Sequence, residues 1–133
     1  HGLNHIKNNL FIGVGLGNWK IKSIDYDSQN MTSYIVPYYL HNDFLEVGTE
    51  LGILGFILYA GMFIYLFAFL LKNISLTFFK NVNQSNTLFM LFMCIVVYFI
   101  DSNLNFPHGR AISQTTINIL FALIILQSYS YEK

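Results

Sequence analysis

From Leu51 to Leu71 the chain reads LGILGFILYAGMFIYLFAFLL, without a single charged residue. At ~1.5 Å per residue that stretch reaches about 31 Å, enough to cross the hydrocarbon core of a bilayer as one helix. Immediately before it stands a polar segment, His41 to Glu50, holding a His, an Asn, an Asp and two Glu. The two read as one unbroken helix with ionisable groups collected at one mouth. Such groups are costly near lipid, so a cluster of them marks a candidate functional site.

Composition supports the same class. Of 133 residues, 54% are hydrophobic and only 11% charged, and the mean hydropathy is +0.48. Soluble domains carry roughly a quarter charged residues. The formal net charge is zero and the basic residues are thinly spread, so a nucleic-acid partner is set aside. Cys94 has no second cysteine to pair with and reads as a small apolar residue.

The expected fold is all-α: a single-domain fragment of a polytopic membrane protein, with about three transmembrane helices behind an extracytoplasmic N-terminal segment. Residues 1–12 place Leu3, Ile6, Leu10 and Phe11 on one helical face, an amphipathic segment at the membrane surface. Residues 13–42 read as an external loop. It opens on Gly13-Val14-Gly15-Leu16-Gly17-Asn18-Trp19, where alternating glycines favour an irregular, closely packed turn. Trp19, flanked by Lys20 and Lys22, suits the headgroup region, and Pro37 with Tyr38 returns the chain to the interface.

Residues 43–71 form the helix with the first span, in which Asp43 and Glu46 read as a capping-box-like pair. Residues 72–86 carry two lysines and no acid and read as a cytoplasmic loop. A second helix over 87–106 must include Asp101 to cross, which requires a protein-lined or wet surround. Residues 107–110 are the external turn. A last helix over 111–129 ends near Tyr131 and Lys133 at an interface.

Three stretches with chemistry then share the outer side: 41–50, 101–105 and 108–110. Asn42, Glu46 and Glu50 fall on one helical face, and Gly48, Gly52 and Gly55 form a small-residue stripe for close helix packing. His41 just before the helix could accept a proton as a neutral imidazole, or be an ordinary loop residue. Arg110, the only arginine, is suited to forked hydrogen bonds to phosphate or carboxylate, and equally to snorkelling or pairing with Asp101. His108 by itself reads as a loop residue. His1 and His5 have i, i+4 spacing but no evident third ligand, so no metal site is expected.

The segment His41-Asn42, nine residues, Gly52, two residues, Gly55 resembles the ligase motif of the O-antigen ligase and polymerase family of bacterial membrane proteins. That motif runs His, then Asn/Ser/Gln, nine residues, Gly, two residues, then Gly/Thr/Tyr. The glycine-rich run from Gly13 to Trp19 is similar to the family's segment ahead of its large periplasmic loop. DSNLNFPHGR, residues 101–110, is similar to a segment after the penultimate helix of some members. It departs from that pattern at His108, where an aliphatic residue is usual, and at Ala111, where proline is.

The resemblance implies the C-terminal portion of a larger GT-C-like bundle in the bacterial inner membrane, active on the periplasmic side. Ligases of the family move a glycan from undecaprenyl pyrophosphate to a lipid A-core sugar, whereas polymerases move it to another repeat unit. The implied partners are that lipid-linked donor, a lipid A-core or glycan acceptor, and membrane lipids, with no cofactor or metal. By the same resemblance His41 is the base or the orienter of the acceptor hydroxyl. Glu46 and Glu50 are candidates to stabilise an oxocarbenium-like sugar. Arg110, with Asn42, Asp101 and His108, is a candidate for holding the diphosphate. A transporter or flippase with Asp101 and His41 as a proton path, and a non-catalytic membrane subunit, are the readings from other classes.

Overall fold

The computed structural model describes residues 2–8, 11–27 and 39–129. His1, Leu10, Pro37, Tyr38, Tyr131 and Lys133, which the sequence reading singles out, lie outside the described residues. The described part is helical without a strand: α1 (Gly2–Asn8), α2 (Trp19–Asp27), α3 (Asp43–Thr77), α4 (Val82–Leu104), a 3₁₀ turn (Pro107–Gly109) and α5 (Ala111–Tyr129). Two helices, α3 and α4, are long and apolar enough to span a membrane, and the apolar run of α5, Ala111–Gln127, is shorter. Together they make this a helical membrane protein.

Where the expected single domain stands, the chain divides into two compact units: residues 1–61 with 102–106, and residues 62–101 with 107–133. The second unit is apolar and aromatic. Phe63, Leu66 and Leu70 of α3 are buried with Leu88, Leu91 and Ile95 of α4 and Ile117 and Ile124 of α5. Phe63 meets Phe99 edge-on at 5.3 Å, and Phe67 does the same with Phe92 and Phe99 at 5.8 and 5.4 Å. Offset and edge-on ring pairs of this kind add attraction beyond area alone. Leu58, Ile64, Met90, Val97, Ile119 and Leu126 are exposed, as lipid-facing residues should be. Cys94 is also exposed on α4.

Between α3 and α4 the connection is residues 78–81, far shorter than the expected loop over 72–86. Polar side chains there bond their own helix. Asn73 donates to Phe69 O at 2.7 Å and Thr77 to Asn73 O at 2.7 Å, so α3 continues past Lys72. Asn81 then caps α4, its Oδ1 accepting from Gln84 N at 3.2 Å.

The loop expected over 13–42 contains a helix, α2. Its seed is Asn18, whose backbone carbonyl accepts from Lys22 N at 3.0 Å, and whose neighbour Trp19 is almost wholly buried. Trp19 packs inward, with its ring centroid 5.9 Å from His5 and 6.1 Å from Tyr26, and does not stand as a headgroup anchor. His5, buried on α1, is hydrogen-bonded through Nδ1 to the Tyr26 hydroxyl at 2.9 Å. On the expected apolar face of α1, Leu3 is exposed, and so is Phe11 beyond the helix. Tertiary burial of the histidine outweighs a weak local pattern.

Candidate functional site

The expected unbroken run from His41 into the membrane helix is interrupted at its motif glycine. Gly52 has φ 71° and ψ −167°, outside helical geometry, and α3 consists of two helices joined there. The consequence is large. Along a continuous helix Asp43 and Tyr59 would stand about 24 Å apart, yet the Tyr59 hydroxyl is 3.5 Å from Asp43 Oδ2. The Phe44 ring centroid lies 5.0 Å from that of Tyr59 and 6.4 Å from that of Phe56. Residues 43–51 therefore fold back on the start of the following helix.

Both motif glycines have a physical reason. The φ of Gly52 is one that L side chains avoid, and a Cβ there would lie 2.6 Å from Phe11 O. A Cβ on Gly55 would collide with the Leu51 side chain, which the reversal brings against it. The stripe read as a helix-packing face is thus a corner. At Gly52 what approaches closely is the glycine-rich segment, whereas Gly48 faces the Ile6 side chain of helix α1. Val14 N donates to Thr49 O at 3.0 Å and Gly15 N to Glu50 O at 2.9 Å. These carbonyls sit at the end of the first helical piece, where a helix lacks its own partners. Gly13 admits the contact, because a Cβ on it would strike the Glu50 carbonyl. Two motifs read separately in the sequence form one joint.

The acidic residues before the break are stitched into the backbone. Glu46 is buried and its Oε2 accepts from Leu40 N at 3.3 Å. Glu50 is buried and its Oε1 accepts from Trp19 N, in the first turn of α2, at 3.3 Å. A carboxylate at a helix N-terminus meets both free N–H groups and the positive end of the dipole. The helix cap itself is Asn42, not Asp43. Asn42 Oδ1 accepts from Leu45 N at 3.0 Å, and its backbone carbonyl accepts from Glu46 N. Asn42 Nδ2 reaches across to Asn103 O at 3.1 Å, tying the helix start to the end of α4.

His41 precedes this cap, exposed, with φ 51°, a conformation uncommon for any residue other than glycine. Its ring meets Phe106 edge-on, with centroids 5.1 Å apart and planes at 71°. Phe106 in turn stacks on Tyr39 at 4.3 Å and 4°. Lys20 donates to the Tyr39 hydroxyl at 3.1 Å and lies 4.7 Å from that ring's centre. That hydrogen bond, with Glu46 and Glu50 nearby, holds the Lys20 ammonium above its ordinary range.

Of the residues expected in the site, His41, Asn42, Glu46 and Glu50 are gathered in the first unit. Asp101, His108 and Arg110 belong to the second. Asp101 is half-buried near the end of α4. Gln114 Nε2 lies 3.0 Å from His108 Nδ1 and donates to His108 O at 2.7 Å. The exposed Arg110 starts α5, its carbonyl accepting from Gln114 N. His5 is engaged with Tyr26 and Trp19. Among the described residues there is no group of three or more His, Cys, Asp or Glu arranged for a metal ion.

Lys20, Tyr39 and Phe106 were not singled out for the site by sequence. Tyr39 and Phe106 meet across 66 intervening residues, a pairing that no local period reports.

No curated protein and no solved structure matches the chain. The family model described as O-antigen ligase matches residues 1–60. That span contains the glycine-rich segment, His41, both buried glutamates and the Gly52 corner, and stops short of Asp101, His108 and Arg110. Over those residues the chain is similar to the O-antigen ligase family, and its described part is that of a helical membrane protein.

Proposed function

We propose that the chain forms the acceptor-activating part of a membrane glycosyltransferase of the O-antigen ligase type. In this reading it moves a glycan from undecaprenyl pyrophosphate to a lipid A-core sugar at the periplasmic face of the bacterial inner membrane. The observation that carries the reading is His41, exposed at the head of a short helix that the family's own motif glycine turns back on itself.

The chemistry is a displacement at the anomeric carbon. The acceptor hydroxyl oxygen forms a bond to that carbon while its proton passes to a ring nitrogen of His41. The bond from the carbon to the pyrophosphate oxygen breaks, and its electron pair leaves with the pyrophosphate. Negative charge gathering on that leaving group requires a cation. Asn42 sets the helix start and so the approach of His41. Glu46 and Glu50 each spend one oxygen on a backbone N–H, and their negative charge beneath the site favours a sugar with oxocarbenium character.

The test is His41→Ala in the full chain, expressed in a deletion strain. Glycan attachment should be lost while membrane insertion persists; attachment at the wild-type level overturns the reading. The surface glycan of the deletion strain separates the two transfer reactions. Bare lipid A-core supports the ligase, and single repeat units remaining on the core identify a polymerase.

A further inference from the structure

We propose that Phe106 is the positioning residue for His41, its ring setting the direction in which the imidazole presents its nitrogens. The proposal rests on His41 serving as the base. A histidine with φ 51° is in a disfavoured conformation that persists only where its surroundings over-determine it. Two kinds of contact do so. The backbone beside it is fixed by Asn42, which caps the helix through Oδ1 and holds Asn103 O through Nδ2. Phe106 then restrains the side chain by the edge-on contact at 5.1 Å.

Phe106 is itself well held. It lies nearly parallel to Tyr39, whose hydroxyl accepts from Lys20 Nζ. Pro107 follows it, and a residue before proline is pushed out of helical conformation, so α4 stops and the ring is carried away from that helix. The result is a row of flat groups, Tyr39, Phe106 and His41, ending on the one that is exposed. An exposed imidazole without such a neighbour would sample several rotamers, and a base that is off by an ångström loses about a hundredfold in rate.

The experiment is steady-state transfer by the full chain in membrane vesicles, varying the lipid-linked donor, for wild type, Phe106→Leu, Phe106→Tyr and His41→Ala. Leucine keeps apolar bulk but removes the flat face, whereas tyrosine keeps the face. Phe106→Leu should lower kcat about ten- to hundredfold with donor KM within about twofold, and Phe106→Tyr should restore most of kcat. A raised KM with unchanged kcat would make Phe106 a substrate contact and overturn the proposal, as would wild-type kinetics. If His41→Ala retains wild-type activity, the base reading has failed; if it is inactive while Phe106→Leu is normal, only the positioning proposal has. Should Phe106→Leu not insert, Tyr39→Leu, which removes the support behind Phe106, must show the same loss of kcat at constant KM; wild-type kinetics there would overturn the proposal.

Discussion

Two parts of α3 are built on opposite plans. Residues 43–51 bury Asp43, Glu46, Thr49 and Glu50, and for Glu46 and Glu50 a carboxylate oxygen is aimed at a backbone N–H elsewhere in the chain. Residues 62–77 bury Phe63, Leu66 and Leu70, with Phe63 edge-on to Phe99, and their one buried polar side chain, Thr77, bonds only its own helix. The first part depends on direction and the second on shape. Directional groups hold one arrangement and fail when a partner is lost, while apolar packing can shift and refill. The site proposed around His41, which has to present one imidazole at one angle, would be better served by the first plan.

The sharpest way to break this contrast is to add the same methyl group on either side of it. Gly52→Ala places a Cβ at φ 71°, 2.6 Å from Phe11 O, and should destabilise by about 3 kcal/mol or more, counting strain and displacement of the glycine-rich segment. Gly61→Ala, where a Cβ meets nothing within 4 Å in regular helix, should stabilise by up to about 1 kcal/mol. Thermal unfolding in detergent compares the pair, and equal effects would mean that the corner is not there.

Next in size is Glu50→Leu, which leaves Trp19 N without its acceptor. Loss of a buried hydrogen-bond partner costs about 1–3 kcal/mol, and Glu50→Gln, which keeps an oxygen, should lose less. Trp19 is the sole tryptophan, so its fluorescence reports the change directly.

The smallest effect is on pH dependence. Burial, with Lys22 nearby as the lesser cause, holds His5 below the ordinary imidazole range. The unfolded chain therefore binds this proton at higher pH than the folded one. Stability from the neutral, buried His5 is complete above about pH 6.5 and is lost as pH falls through the lower folded value. Acidification in that range should change Trp19 emission in wild type, and His5→Gln should remove the change.

Much of the architecture was legible in residue order. The apolar runs mark where the long helices lie, and Pro107-His108-Gly109 forms the 3₁₀ turn ahead of α5 (Ala111–Tyr129). The ends of α3 and α4 were not legible, because Asn73, Thr77 and Asn81 satisfy local backbone groups that composition alone assigns to water. The corner was hidden for a subtler reason. Glycines at positions 48, 52 and 55 fit a helix stripe by spacing, and only the conformation of Gly52 distinguishes a packing face from a reversal. Its partner segment was visible as a glycine run, but pairing across more than thirty residues is a tertiary fact. His41 stood out through the motif, and its aromatic support did not.

The central claim is that the glycine-rich segment fills the break at Gly52 and so fixes the helix that His41 immediately precedes. Cysteines at Val14 and Thr49, in a full chain with Cys94 replaced, test it most directly, because Val14 N and Thr49 O are 3.0 Å apart. Rapid, near-complete disulfide formation in membranes, abolished by adding Gly52→Ala, is the predicted result. Failure of the pair to cross-link, in a protein that inserts and transfers glycan normally, would contradict the account.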